Sequence, residues 1–138
     1  MGKFDSKSSQ MTRSRQNWCL HAIDAVKYSV QGLISCFKHE LAFRQECMIA
    51  IPHFVAVALL PMELWMRFYL GALWVVVIVV ELVNTGIEAV TDLASPEWHQ
   101  LAKKAKDCGS AAVFCTILLF SLSWLFVLIR MAWRITYG

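Results

Sequence analysis

The sequence predicts an all-α integral-membrane fold, an N-terminal amphipathic interfacial helix followed by three membrane-spanning helices. Three observations predict it. Hydrophobic residues make up 58% of the 138-residue chain, and the mean hydropathy is +0.53, both above what soluble domains usually show. Apolar segments recur at 47–64, 66–92 and 108–133. From Trp18 onward, apolar residues return every three or four positions, as one face of a helix requires.

Residues 1–17 are rich in Ser, Lys, Arg and Gln and are expected to form a disordered polar tail. Trp18, Ala22, Val26, Val30, Leu33, Phe37 and Leu41 then mark an apolar face, with Asp24, Lys27, Gln31 and Lys38 opposite. A helix over 18–45 follows. Its basic polar side and its Trp and Phe suit the membrane interface; packing on protein would produce the same pattern.

The first span, 47–64, is short for a crossing and contains Pro52 and Pro61, since roughly 20 residues cross the hydrocarbon core. Pro61 to Trp65 leaves room only for a tight hairpin before the second span, 66–92. Ser95-Pro96-Glu97 has the pattern of a helix start: a Ser cap, Pro at the first position and an acid in the first turn. A short helix over 96–107 is expected there, leading into the third span, 108–133.

The net charge of +3 is too small to argue for nucleic acid. Its distribution is more useful. Lysines and arginines crowd the region before the first span (Lys3 to Lys38) and the second loop (Lys103, Lys104, Lys106), with only Arg67 near the short hairpin and Arg130 and Arg134 near the C-terminus. The positive-inside rule places the N-terminus and the second loop in the cytoplasm. The five cysteines show no zinc-like spacing and suit small buried hydrophobes. The polar N-terminus and late first apolar run are not those of a cleavable signal peptide.

Against this apolar background, Glu81, Asn84, Glu88 and Asp92 fall on one face of the second span. Ionisable groups within a span are costly, about 2.5–3.5 kcal/mol each on insertion scales, and mark function by default. The bland reading, polar glue between helices, fits Asn but not two acids without cations. Three further clusters are expected at the same interface: Glu40 to Glu46, with Glu40 and Arg44 one turn apart; Lys103 to Asp107; and Tyr28-Ser29 on the amphipathic helix. Carboxylates with an amide suit Mg²⁺, which takes oxygen ligands and bridges substrate phosphates; lysines suit the phosphates. The set describes a nucleotide-using transferase with a membrane-dwelling acceptor. The Gly-rich and catalytic-loop signatures of soluble kinases are missing from the sequence. A small transporter or an assembly protein remains a reading of the residues alone. Lys103 and Lys104 suit topology determinants, His99 a structural hydrogen bond, and His53 lies in the first span with no evident partner.

Glu40-Leu-Ala-Phe-Arg-Gln-Glu46, Val80-Glu-Leu-Val-Asn-Thr-Gly-Ile-Glu-Ala-Val-Thr-Asp92, His99 and Ala105-Lys-Asp-Cys-Gly-Ser-Ala-Ala-Val113 together resemble the small prokaryotic diacylglycerol kinase family, from about Tyr28 to the C-terminus. The resemblance implies that 18–138 is a membrane lipid kinase domain in the bacterial inner membrane. It implies a homotrimer with active sites shared between subunits at the cytoplasmic surface. The reaction implied is transfer of the γ-phosphate of MgATP to the hydroxyl of diacylglycerol; a related branch phosphorylates undecaprenol, and 101–107 resembles that branch.

By the same resemblance, Glu81 is the general base and Glu40 and Glu88 are the Mg²⁺ ligands. Tyr28, Glu40, Glu88, Lys106 and Asp107 contact nucleotide. Ser29, Arg44, Glu46, Glu81, Asn84 and Ser110 contact the lipid. One departure stands out: His21 occupies a position where the family often has a basic residue, with Asp24 close by. A non-catalytic lipid or cation binder on the same scaffold is the alternative from another class.

Overall fold

The structure, a computed structural model, describes residues 4–137, with side chains from Leu20 onward. It is helical with no strand among the described residues, and it divides into two units, residues 1–39 and 40–138. Each is described by itself.

The first unit is one helix, α1, Phe4–His39. It begins well before Trp18, so the backbone from Phe4 is helical where a disordered tail is expected. No Gly or Pro separates Phe4 from Trp18, and extending an existing helix avoids a second nucleation cost. The expectation for residues 1–3 lies outside the described residues. Lys38 and His39 occupy the last turn, where positive charge complements the helix dipole. Tyr28, Val30, Leu33 and Phe37 are exposed on α1.

The second unit contains α2 (Leu41–Leu59), α3 (Leu64–Ala94) and α4 (Gln100–Tyr137). All three are long and apolar enough to cross a membrane. α3 packs against both α2 and α4 and is the centre of the bundle.

The break between the first two helices falls at Glu40, whose backbone is extended (φ −102°, ψ 121°). Two expectations change with it. The surface helix ends at His39 rather than at residue 45, and Phe43-Arg44-Gln45-Glu46 begins the first spanning helix instead of preceding it. No Gly or Pro interrupts 41–51, so the helix extends back to Glu40. Pro52 lies inside α2. It removes one backbone bond, which a spanning helix tolerates when neighbours compensate.

The hairpin after α2 is closed by one side chain. Arg67 donates from Nη1 to the Ala58 carbonyl (2.8 Å), from Nη2 to that of Leu60 (3.0 Å) and, more weakly, from Nε to that of Met62 (3.4 Å). These include the carbonyls that the end of α2 leaves without helical partners. Beneath the hairpin, Val57, Met62, Met66, Leu70 and Val127 form the core, with Leu70 fully buried.

His53 acquires the partners that the sequence does not disclose. It accepts a hydrogen bond at Nδ1 from Trp124 Nε1 (3.2 Å). It stacks on Trp74 with ring centroids 5.2 Å apart, and Phe120 approaches its edge. Nearby, the Tyr69 and Ser123 hydroxyls are hydrogen-bonded at 2.8 Å.

The segment after α3 departs from expectation. Ser95 ends α3, its N–H bonded to the Thr91 carbonyl, and its hydroxyl donates to the Glu97 carbonyl. α4 starts only at Gln100, where the Leu101 N–H donates to His99 Nδ1 (3.2 Å). His99 therefore performs the capping that the pattern assigns to Ser95. α4 then continues unbroken to Tyr137, so the separate helix 96–107 and the third span are one rod. Gly109 is the only glycine or proline between Gln100 and Tyr137, and a lone glycine does not end a helix.

Candidate functional site

The polar face of α3 is assembled in the half of the helix remote from the hairpin. Glu81 and Asn84 are buried, at 4% and 8% exposure, and Glu88 is half-buried. Asn84 Nδ2 donates to Glu88 Oε1 at 3.1 Å, a bond that one helical turn makes possible. Its other amide atom, Oδ1, is buried with no hydrogen-bond partner.

α2 adds Glu46, buried with Oε2 likewise unpartnered. Glu46 lies within electrostatic reach of Glu81, and Glu81 within that of Glu88 and Glu40. Four carboxylates from the start of α2 and the middle of α3 thus share one region of the second unit. Their mutual repulsion would be relieved by a cation.

α4 forms the other wall. The close approach is at Gly109: a Cβ there would overlap Asn84 Oδ1 and come within 3.3 Å of Asn84 Cγ. Any side chain there would force the Asn84 amide to shift. Ser110, next in the chain, is exposed on α4.

One to two turns further toward the Ser95 break, Lys106 Nζ pairs with Asp92 Oδ1 and Lys103 Nζ with Asp107 Oδ2, each at 2.5 Å. These residues line an open cleft of about 410 Å³, together with Glu97, Trp98 and His99. Both pairs are exposed and therefore add little to stability. Asp92 enters the site as the partner of Lys106.

The second unit thus brings together Glu40, Glu46, Glu81, Asn84 and Glu88, with Lys106 and Asp107 near the same end of α3. Arg44 lies on the first turn of α2. Tyr28 and Ser29 belong to the first unit, where both are exposed and the Ser29 hydroxyl donates to the Ala25 carbonyl (2.9 Å). Gly109 is the residue that sequence reasoning did not single out. Its position beside the Ser110 motif was the available signal.

No three His, Cys, Asp or Glu side chains among the described residues converge tightly enough to hold a metal by themselves. Mg²⁺ keeps waters and binds through one or two carboxylates plus substrate phosphates. The donor set is oxygen-rich, as this cation requires.

The fold and this face define an integral-membrane protein with an acidic site inside its helical bundle. The model of the family described as prokaryotic diacylglycerol kinase matches residues 27–128. A diacylglycerol kinase of Haemophilus influenzae is 38% identical over 114 residues, covering 75% of this chain and 88% of that protein. One of Pseudomonas aeruginosa is 35% identical over 107 residues (78% and 87%), and one of Escherichia coli K12 is 37% identical over 106 (77% and 87%). The chain belongs to the prokaryotic diacylglycerol kinase family. The matched span contains every candidate site residue.

Proposed function

We propose that the protein transfers the γ-phosphate of MgATP to the hydroxyl of diacylglycerol, giving phosphatidic acid, with Glu81 as general base. The single observation that carries the assignment of roles is the depth of Glu81. It is the most buried carboxylate of the cluster and lies next to the apolar run that ends at Val80, where a lipid hydroxyl is available. Glu88 and Glu40 are less buried and suit a hydrated cation.

In this reading Glu40 and Glu88 hold Mg²⁺, which neutralises phosphate charge when bound. Asn84 orients Glu88 through its amide N–H and borders the lipid head group. Glu46, Arg44, Ser29 and Ser110 line the path of the lipid, whose single hydroxyl is left to Glu81. Tyr28, Lys106 and Asp107 place the nucleotide, with Lys106 offsetting charge on the moving group.

Glu81 takes the proton as the lipid oxygen attacks the γ-phosphorus. The bond to the β-γ bridging oxygen breaks, and ADP leaves. Phosphoryl transfer asks mainly for such positioning and charge neutralisation. The carboxylate face lies at the cytoplasmic surface of the bacterial inner membrane, as the lysine distribution supports. The apolar side chains left exposed on α4, such as Phe114 and Leu118, support assembly with further copies, and we place the active site of a homotrimer at the junctions between them.

A second acceptor, undecaprenol, is favoured by one feature, the Leu-Ala-Lys-Lys-Ala-Lys-Asp run at 101–107. The test is transfer from labelled ATP, with Mg²⁺, by the detergent-solubilised protein to diacylglycerol and undecaprenol side by side. Labelled phosphatidic acid as the dominant product supports the proposal. Labelled undecaprenyl phosphate moves the acceptor to the polyprenol class. Transfer to neither, by folded protein, leaves a lipid or cation binder on the kinase scaffold.

A further inference from the structure

The end of the bundle remote from the carboxylates carries a second, differently built cleft. Glu63, Met66, Arg130, Trp133, Arg134 and Tyr137 line a volume of about 440 Å³ between the hairpin and the last turns of α4. From Met66 to Glu88 is 22 residues of one helix, or roughly 33 Å at 1.5 Å per residue. The two sites therefore lie at opposite membrane surfaces. Arg130 and Arg134 also fall beyond residue 128, where the match to the family model stops.

The charge of this cleft is unbalanced. Arg130 reaches Glu63 only at 3.5 Å, and Glu63 also accepts from Trp65 Nε1 at 2.5 Å. Arg134 has no ion pair among the described residues. Arg67, beside the cleft, is committed to backbone carbonyls. The Trp133 and Tyr137 rings lie 4.5 Å apart, tilted by 36°, in the pattern of the aromatic belt at a membrane interface.

A second pocket lies further along the same helices, with Met66 between it and the cleft. Met66 also lines an apolar pocket of about 300 Å³ with Trp65, Tyr69, Leu122, Ser123 and Phe126. On α4 these residues follow a single face: Leu122 and Ser123, then Phe126, Arg130, Arg134 and Tyr137, at spacings of three or four. From Ser123 to Arg134 is 11 residues, roughly 16 Å of helix. That is about half of the 30 Å hydrocarbon core, the depth of one leaflet. At the far end the Tyr69 and Ser123 hydroxyls bond to each other, so the apolar run stops at a polar pair already satisfied.

We propose that the cleft and the pocket form one groove that binds an anionic phospholipid of the leaflet opposite the carboxylate site. Its phosphate lies between Arg130 and Arg134, and one acyl chain runs past Met66 toward Leu122 and Phe126. Two guanidinium groups match a phosphate diester, which Arg recognises through its planar fork. The groove length matches one acyl leaflet, and the aromatic pair marks head-group depth. A zwitterionic lipid would bring its own cation against this surplus positive charge.

The test uses the full chain, purified in detergent, with a phosphatidylglycerol carrying a diazirine in its acyl chain. Cross-links mapping to 65–69 and 122–127 are expected. Capture by an Arg130→Gln/Arg134→Gln protein should fall about tenfold, the worth of one charge-assisted hydrogen bond. The unfolding temperature in phosphatidylcholine micelles checks that this variant is folded; the wild-type map stands if it is not.

Equal capture of a phosphatidylcholine probe would overturn the proposal. So would competition by millimolar inorganic phosphate equal to that by unlabelled lipid, which would reduce the site to a surface anion site. Cross-links confined to other surfaces, with 65–69 and 122–127 protected, would show that a second copy covers the groove and would likewise overturn it.

Discussion

Asn84 of α3 and Gly109 of α4 interlock, the amide of one filling the space that a side chain on the other would need. The same amide donates to Glu88. A methyl group at 109 would have to displace Asn84, and with it the carboxylate that Asn84 orients. Gly109→Ala should therefore destabilise the bundle by about 1–3 kcal/mol, the usual cost of overpacking, and lower activity. Asn84→Ala in the same chain should restore the unfolding temperature but not the activity. A double-mutant cycle on thermal unfolding in detergent measures the coupling; additive effects would show that the two residues do not meet.

The proposed roles of the carboxylates separate by kinetics. Glu81→Gln keeps shape and burial but cannot accept a proton. It should reduce kcat by about 10²- to 10⁴-fold, the usual worth of a general base, with the affinity for MgATP little changed. Glu88→Gln should instead raise the Mg²⁺ concentration needed for half-maximal activity, since a neutral amide is a poorer ligand for a hard cation. Steady-state assays over a Mg²⁺ titration distinguish them. Wild-type turnover by the Glu81 variant removes it as base.

Much of this was legible in the sequence because it depends on local periodicity. The polar face of α3 follows from spacings of three and four on a helix with no breaker. The three spans follow from apolar runs. Illegible were features that depend on which residue caps an end or on contacts between helices. Ser95-Pro96-Glu97 has the composition of a helix start, yet Ser95 closes α3 and His99 opens α4. Glu40 was legible as a candidate ligand but not as the break between helices. His53 meets Trp124 across 71 residues, and Gly109 meets Asn84 across a helix interface. No spacing rule reaches either contact.

The His53–Trp124 bond has its own consequence. In Trp124→Phe a smaller aromatic ring remains but the N–H is lost, and His53 Nδ1 is left as a buried acceptor without a hydrogen bond. The cost should be about 1–3 kcal/mol, read as a lower unfolding temperature. His53→Leu in the same chain removes the unsatisfied nitrogen and should recover part of that loss. If it deepens the loss instead, the stacking on Trp74, not the hydrogen bond, is what holds His53 in place.

Arg67 tests whether the hairpin depends on the shape of its cation or only on its charge. Its guanidinium spans the carbonyls of Ala58 and Leu60 at 2.8 and 3.0 Å, which a planar fork can do and an ammonium cannot do in the same geometry. Arg67→Lys keeps the charge at the C-terminal end of α2, where the helix dipole favours it, but leaves at least one carbonyl unpaired. Arg67→Gln loses the charge as well. Hydrogen bonds to charged groups contribute about 1.5–3 kcal/mol each, so both variants should be destabilised by more than about 1.5 kcal/mol, with Lys the milder. Turnover at saturating substrate should stay near the wild-type value, because the hairpin lies at the opposite end of α3 from the carboxylates. Chemical unfolding in mixed micelles, paired with the kinase assay, reads both. A Lys variant as stable as the wild type would mean that charge alone closes the turn and that the fork geometry is incidental.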